Sequence, residues 1–136
     1  MAKSEQQKLK EKLDAIFSKY IRWKHADSNG LCKCFTCGVI KEVKGIQNGH
    51  FIPRNILITR FDENNCRPQC VGCNMYGNGK FVDFRENLVK ELGEKKVKEM
   101  EASRFKVLKL DVNWYNEKIE YYKEKVKELE HKKGSL

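Results

Sequence analysis

Cys34-Phe35-Thr36-Cys37 and Gln69-Cys70-Val71-Gly72-Cys73-Asn74 decide how this chain folds. Each C-x-x-C pair puts two thiolates on one tight turn, and two pairs supply the four sulfur ligands of a closed tetrahedral zinc site, the structural kind. Cys34, Cys37, Cys70 and Cys73 are therefore the expected zinc ligands. The stretch between the pairs, residues 38–69, exceeds the roughly 15–20 residues of an ordinary zinc ribbon. That insertion carries Gly49-His50, and the second pair runs directly into Asn74. Chemistry must come from what the metal holds in place. Of the two remaining cysteines, Cys66 reads as a small buried side chain and Cys32 as a competitor for the metal.

Outward from the cysteine pairs the chain is helical. Ser4 followed by Gln7 is a capping-box signature, and Leu9, Leu13, Ile16, Phe17, Tyr20 and Ile21 recur at helical spacing, which predicts a helix over about 5–25. Asp27-Ser28-Asn29-Gly30 ends it. Within the insertion, Val39–Val43 and His50–Ile52 read as two arms of a hairpin, and Ile56–Ile58 as a third strand or a packed loop. After Gly77-Asn78-Gly79, the residues Phe81, Phe84, Leu88 and Leu92 share one helical face that Gly93 terminates. Residues 94–103 add a short helix. Asp111 or Asn113 caps a last one, whose seam of Tyr115, Ile119, Tyr122, Val126 and Leu129 either packs on its own domain or forms a subunit interface.

The fold class expected is α+β, a single domain over 1–136: an N-terminal helix within 1–30, a zinc-stapled ββα-metal core over 31–93, C-terminal helices over 94–130 and a fraying tail at 131–136. A net charge of +9 favours a polyanionic partner such as nucleic acid. Residues 1–31, 32–92 and 93–136 carry 7 and 4, 9 and 6, and 12 and 9 basic and acidic side chains. A groove built from several segments fits this spread better than a basic arm. No apolar run approaches membrane length, and the start lacks the apolar stretch of a secretory signal, so a cytoplasmic location with reduced thiols is expected.

Cleaving a phosphodiester with metal assistance needs a base for water, a cation at the phosphate and a scaffold for both. His50 suits the base, Asn65 a bond that fixes the His50 backbone, and Asn74 an oxygen ligand for Mg²⁺ or Mn²⁺. Arg54, Arg60, Arg67 and Lys80 are the expected phosphate contacts. His25 and His131 read as solvated helix residues, and Trp23, Trp114 and the tyrosines as helix packing.

Cys-Phe-Thr-Cys-Gly (34–38), Gly-His-Phe-Ile-Pro-Arg (49–54), Thr-Arg-Phe-Asp-Glu-Asn-Asn (59–65) and Gln-Cys-Val-Gly-Cys-Asn (69–74) resemble the NinG and Rap recombination proteins of lambdoid phages. The resemblance spans roughly residues 17–130. It implies an HNH-type endonuclease, encoded by a phage or prophage and working in the bacterial host cell. Its expected substrates are branched recombination intermediates such as four-way junctions and D-loops, nicked to 5′-phosphate and 3′-hydroxyl ends. The motif is also similar to that of the phage resolvase endonuclease VII, which implies His50 as base, Asn65 as the middle asparagine and Asn74 as cation ligand. Most HNH enzymes carry an acidic or histidine ligand just before the base, where this chain has Gly49. Asp62, Glu63 and Asp83 are candidates for the missing ligand. A homodimer is expected from the need for two symmetric nicks. The rival readings are a nicking or restriction-type nuclease on duplex DNA, and a zinc-containing DNA-binding module without catalysis.

Overall fold

Ser4 opens α1 (Glu5–Lys24) as expected, its hydroxyl accepting the Gln7 backbone N–H at 3.1 Å. A computed structural model describes the protein over residues 2–134. The apolar stripe of α1 buries Leu13, Phe17, Tyr20 and Ile21. It meets Tyr115, Ile119, Tyr122 and Val126 of α5 (Val112–Lys133), whose N-cap is Asp111, accepting the Trp114 N–H at 2.8 Å. The two helices run parallel. The Gln6 side chain donates to the Leu110 carbonyl at one end. At the other, the Lys133 ammonium donates to the carbonyls of Trp23, Lys24 and Ala26 at 3.1, 3.0 and 2.9 Å, answering orphan acceptors of a helix C-terminus. The heptad-like seam of α5 is thus covered by α1 of the same chain, with Leu129 packed at its margin. That corrects its reading as a subunit interface. Helix α5 continues through His131–Lys133, and residues 135 and 136 of the expected tail lie outside the described residues.

The central segment folds as two separate antiparallel pairs. Strand β1 (Leu31–Lys33) pairs with β2 (Ile40–Glu42), and β3 (Gln47–His50) pairs with β4 (Cys66–Gln69), with Gln47 opposite Gln69 and His50 opposite Cys66. The expected pairing of Val39–Val43 with His50–Ile52 does not occur. The first cysteine turn sends the chain straight back on itself: the Cys34 N–H reaches the Val39 carbonyl at 2.8 Å and the Gly38 N–H reaches the Cys34 carbonyl at 3.0 Å. Gly38 takes φ +84° there, a left-handed conformation that glycine adopts without a Cβ clash. The 39–43 run is therefore consumed by β1, and His50 finds its partner beyond a long loop. Within that loop Leu57–Arg60 makes one helical turn, α2, where a strand or packed loop was expected.

Beyond the second cysteine turn, Gly72–Tyr76 forms a wide π turn. Asn78 and Lys80 follow in the left-handed region (φ +55° and +48°), and α3 (Phe81–Leu92) and α4 (Glu94–Ser103) fold back on each other about Gly93. Phe84 and Leu88 of α3, Val97 and Met100 of α4, and Phe51 and Ile52 beyond β3 make a second apolar cluster. It sets α3 against the β3–β4 pair. Phe81 does not join that face; it is 44% exposed.

Candidate active site and metal centre

The sulfur atoms of Cys34, Cys37, Cys70 and Cys73 lie within 4.8 Å of one another. The donor set and spacing fit a structural metal such as zinc. Backbone N–H groups aim at the sulfurs, with Cys70 N–H at 3.3 Å from the Cys34 sulfur and Cys73 N–H at 3.5 Å from that of Cys70. Such bonds favour the thiolate form that a metal requires. Cys32 stands apart from the cluster: its buried thiol bonds the Arg22 carbonyl at 3.0 Å, which removes the expected competitor. Cys66 is fully buried between α1 and α5, as its position before Pro68 suggests.

Asn74, directly after Cys73, lines a polar cleft of about 610 Å³ together with Asp14, Gln47, His50, Arg54 and Phe81 among others. His50 closes β3, and its Nε2 lies 3.0 Å from the Arg60 main-chain oxygen. A carbonyl only accepts, so Nε2 carries the proton and Nδ1 is the basic atom of the ring. Burial drives its pKa down to about 4; the Arg60 bond and Asp14 oppose this shift, while the charges of Arg54 and Arg60 add to it. The imidazole is therefore neutral at pH 7 and able to take a proton. Asn65, fully buried, holds the loop that supplies the Arg60 oxygen. Its carboxamide oxygen accepts the Ile52 N–H at 2.7 Å, and its nitrogen donates to the carbonyls of Ile52 and Thr59 at 3.0 and 3.1 Å. It thus fixes the backbone two residues beyond His50 rather than that of His50.

Asn74 begins just after the last cysteine, inside the π turn. Its carboxamide nitrogen donates to Gln47 Oε1 at 2.8 Å, and both residues line the cleft. The model for the family described as Bacteriophage Lambda NinG protein matches residues 1–132. This chain belongs to the NinG family. Among curated relatives, Protein ninG of Escherichia phage 933W is 30% identical over 70 residues, covering 52% of this chain and 35% of that protein. Protein ninG of Escherichia phage lambda is 29% identical over 70 residues, 52% and 34% of the two chains. That of Enterobacteria phage H19B is 41% identical over 44 residues, 32% and 22%. The matched segment spans about a third of the length of the first two relatives. No solved structure matches the chain.

In this NinG family member the position before His50 has no room for a side chain unless Gln69 shifts. A Cβ on Gly49 would stand 2.2 Å from Gln69 Oε1 and 2.8 Å from Gln69 Cβ. Gln69 is wholly buried and donates to Thr36 Oγ1 at 3.1 Å and to the Gly79 carbonyl at 2.8 Å, while its Oε1 has no partner. A glutamine from β4 fills the space that an acid on β3 would need. None of the three candidate replacements lines the cleft. Asp62 accepts the Asn64 N–H, Glu63 accepts from Tyr20, Lys24 and Tyr122, and Asp83 is exposed in the first turn of α3. The carboxylate that does line it is Asp14 of α1, which sequence reading missed because α1 reads as plain packing. Asp14 binds the Arg60 guanidinium through both oxygens, with Arg54 at 3.9 Å.

Two of the four expected phosphate contacts are instead engaged by other groups of the fold. Arg67 is 4% exposed and pairs with Glu91 at 2.9 Å while donating to the carbonyls of Glu63 and Cys66. Arg60 is taken up by Asp14 and the Arg54 carbonyl. Arg54 and Lys80 keep exposed side chains. His25, read as a solvated helix residue, is instead the half-buried C-cap of α1, its Nε2 without a partner and its pKa lowered by burial to about 4. Tyr76, read as packing, is 83% exposed. No helix among the described residues is long and apolar enough to cross a membrane.

Proposed function

We propose that this chain is an HNH-type endonuclease of the ββα-metal class that nicks branched DNA during phage recombination. One observation carries the reading: a neutral His50, its Nε2 proton held by a main-chain oxygen, shares a cleft with the Asn74 carboxamide and the exposed Arg54. His50 Nδ1 takes a proton from water, the water oxygen bonds to phosphorus, and the bond to the 3′ oxygen breaks. The leaving oxygen gains a proton from solvent, which gives 5′-phosphate and 3′-hydroxyl ends. Arg54 and Lys80 offset the phosphate charge at the cleft and its rim. The donor set suits a cation held chiefly by phosphate and water, with the Asn74 oxygen as this chain's ligand. Such an ion, Mg²⁺ or Mn²⁺, supplies positive charge beside the scissile phosphate.

The decisive assay incubates purified protein and Mg²⁺ or Mn²⁺ with a four-way junction and with a linear duplex of the same sequence. Nicks should concentrate at the junction. His50→Ala should lower the rate by about 10²–10⁴-fold while keeping DNA affinity. Equal rates for the two proteins would exclude His50 as base. A second reading, a zinc-containing DNA-binding module without catalysis, is favoured by Gly49 and by the engagement of Asp14 with two arginines; it requires binding with no nick under any cation. Resolving a junction needs two copies of the site. With α1 covering the α5 seam, two protomers would meet elsewhere, and light scattering with and without a junction reads the stoichiometry.

A further inference from the structure

A second depression lies directly behind one wall of the cleft. Pro53 and Phe81 line both spaces, and beyond them Phe51, Ile52 and Val82 floor a hollow of about 410 Å³. Arg85, Glu101 and Arg104 complete its lining. Arg85 is neutralised by Glu94 and Glu101 at 3.0 and 2.9 Å. Arg104 stands 5.3 Å from the ring centroid of the exposed Phe105. The wall itself is apolar and open to solvent: Phe81 is 44% exposed and Val82 74%, with Met75 at 58% and Tyr76 at 83% in the preceding turn. Four large apolar side chains are exposed within these eight residues; a second exposed run, Phe105, Val107 and Leu108, lies after α4, but only the first run, through Met75 and Phe81, also lines the cleft. The same turn holds two non-glycine residues at positive φ, Asn78 and Lys80, a strained backbone of the kind that persists at ligand sites.

We propose that this hollow receives an unstacked base from the DNA strand whose phosphate lies in the cleft, with Phe81 as the ring against which it stacks. This rests on the nuclease reading and deepens it, since it assigns the preference for branch points to a place on the protein. A strand crossing the Pro53–Phe81 wall presents phosphates to Arg54 and Lys80 on the cleft side and a flat apolar base to the far side. Alternating cationic and apolar surface matches the alternating chemistry of a single strand. In continuous duplex the base must first be unpaired and unstacked, at a cost of a few kcal/mol, whereas a branch point offers it at a lower cost.

The test reads binding, with the cutting step removed by His50→Ala. Protein is titrated into a four-way junction and a linear duplex of the same sequence, each with 2-aminopurine at the nucleotide next to the branch or at the matching duplex position. Junction binding should be tighter and should change the probe's emission; the duplex probe should stay silent. Adding Phe81→Ser or Val82→Asn should cut the ratio of junction to duplex affinity about tenfold, the scale of one base stacked on an aromatic ring, and abolish the emission change. Duplex affinity of Val82→Asn should move by less than about twofold, and metal content and far-UV circular dichroism of both variants should stay native, since both side chains are exposed. An unchanged ratio in both variants, or an unchanged ratio together with loss of a co-purifying protein, would overturn the proposal in favour of a protein-docking surface. Junction-preferring nicking by the His50-containing protein together with an unchanged affinity ratio in both variants would overturn this inference alone; nicking with no junction preference would overturn it and the branched-substrate reading, and failure to bind any DNA would overturn the nuclease reading as well.

Discussion

The cysteine-bearing segment and the α1–α5 pair are held together by different means. Strands β1 to β4 are three or four residues long and lie in two-stranded pairs, which are marginal in water alone. Their apolar cluster is small and includes Cys32, Cys34 and Cys73. The helices α1 and α5 run for 20 and 22 residues and enclose an aromatic core in which Phe17 meets Tyr122 edge-on at 5.1 Å. One region has a four-cysteine site that fits a structural metal, together with named hydrogen bonds; the other rests on area removed from water. The proposed chemistry sits on the first, where positions are dictated bond by bond.

The strongest way to break this contrast is Cys70→Ser. Removing a thiolate should cost most of the metal's contribution, about 10–16 kcal/mol in zinc-finger peptides. Amide exchange should accelerate through residues 31–80 while the buried face of α5 stays protected. A variant that retains full metal content and wild-type exchange would refute the division. Phe17→Ala attacks the other region and should lower stability by about 3–5 kcal/mol in denaturant titrations, with metal content unchanged. Metal loss in parallel with that destabilisation would show the two regions to be one.

Gly49→Ala sharpens the picture at single-bond scale. Its Cβ meets Gln69, and overpacking of this kind costs about 1–3 kcal/mol. Gln69→Ala in the same chain should cost less than the sum of the two single changes, because the clash and its partner disappear together. Strict additivity in the thermal melts would mean the contact is not there. The same site also predicts an acid limb. The unfolded chain binds a proton at His50 near pH 6.5, and the folded chain resists until about 4. Stability from this group is full above 6.5 and lost as pH falls through that window. The Tm of wild type should therefore fall towards that of His50→Asn, or further below it, between pH 6.5 and 4; a constant Tm difference would contradict it.

Much of this could be read from the residues. The helix caps at Ser4 and Asp111, the helical spacing of Leu13, Phe17 and Tyr20, and the C-x-x-C pairs are local patterns, and local patterns survive into the fold. Strand pairing was misread because Val39–Val43 alternates acceptably against either partner, and only the geometry of the first cysteine turn chooses β1. The fates of Arg60 and Arg67 were hidden for a similar reason: a sequence lists a guanidinium but not the Asp14 or Glu91 that reaches it from 46 or 24 residues away. Asp14 escaped notice because its importance lies in which loop α1 happens to touch. Gly49 was legible as a departure, but its cause, a glutamine on the neighbouring strand, was not.

The oxygen that holds His50 belongs to the main chain of Arg60, and that has a bearing on how the site can vary. A tautomer fixed by a carboxylate partner is lost when that one side chain mutates. Here the proton's address is written into the path of the loop, so any sequence that follows the same path specifies it again, whatever stands at position 60. The vulnerable point moves to Asn65, which clasps both ends of that path through Ile52 and Thr59. In this chain the loop's surface can thus change while one buried carboxamide keeps the ring's tautomer in place.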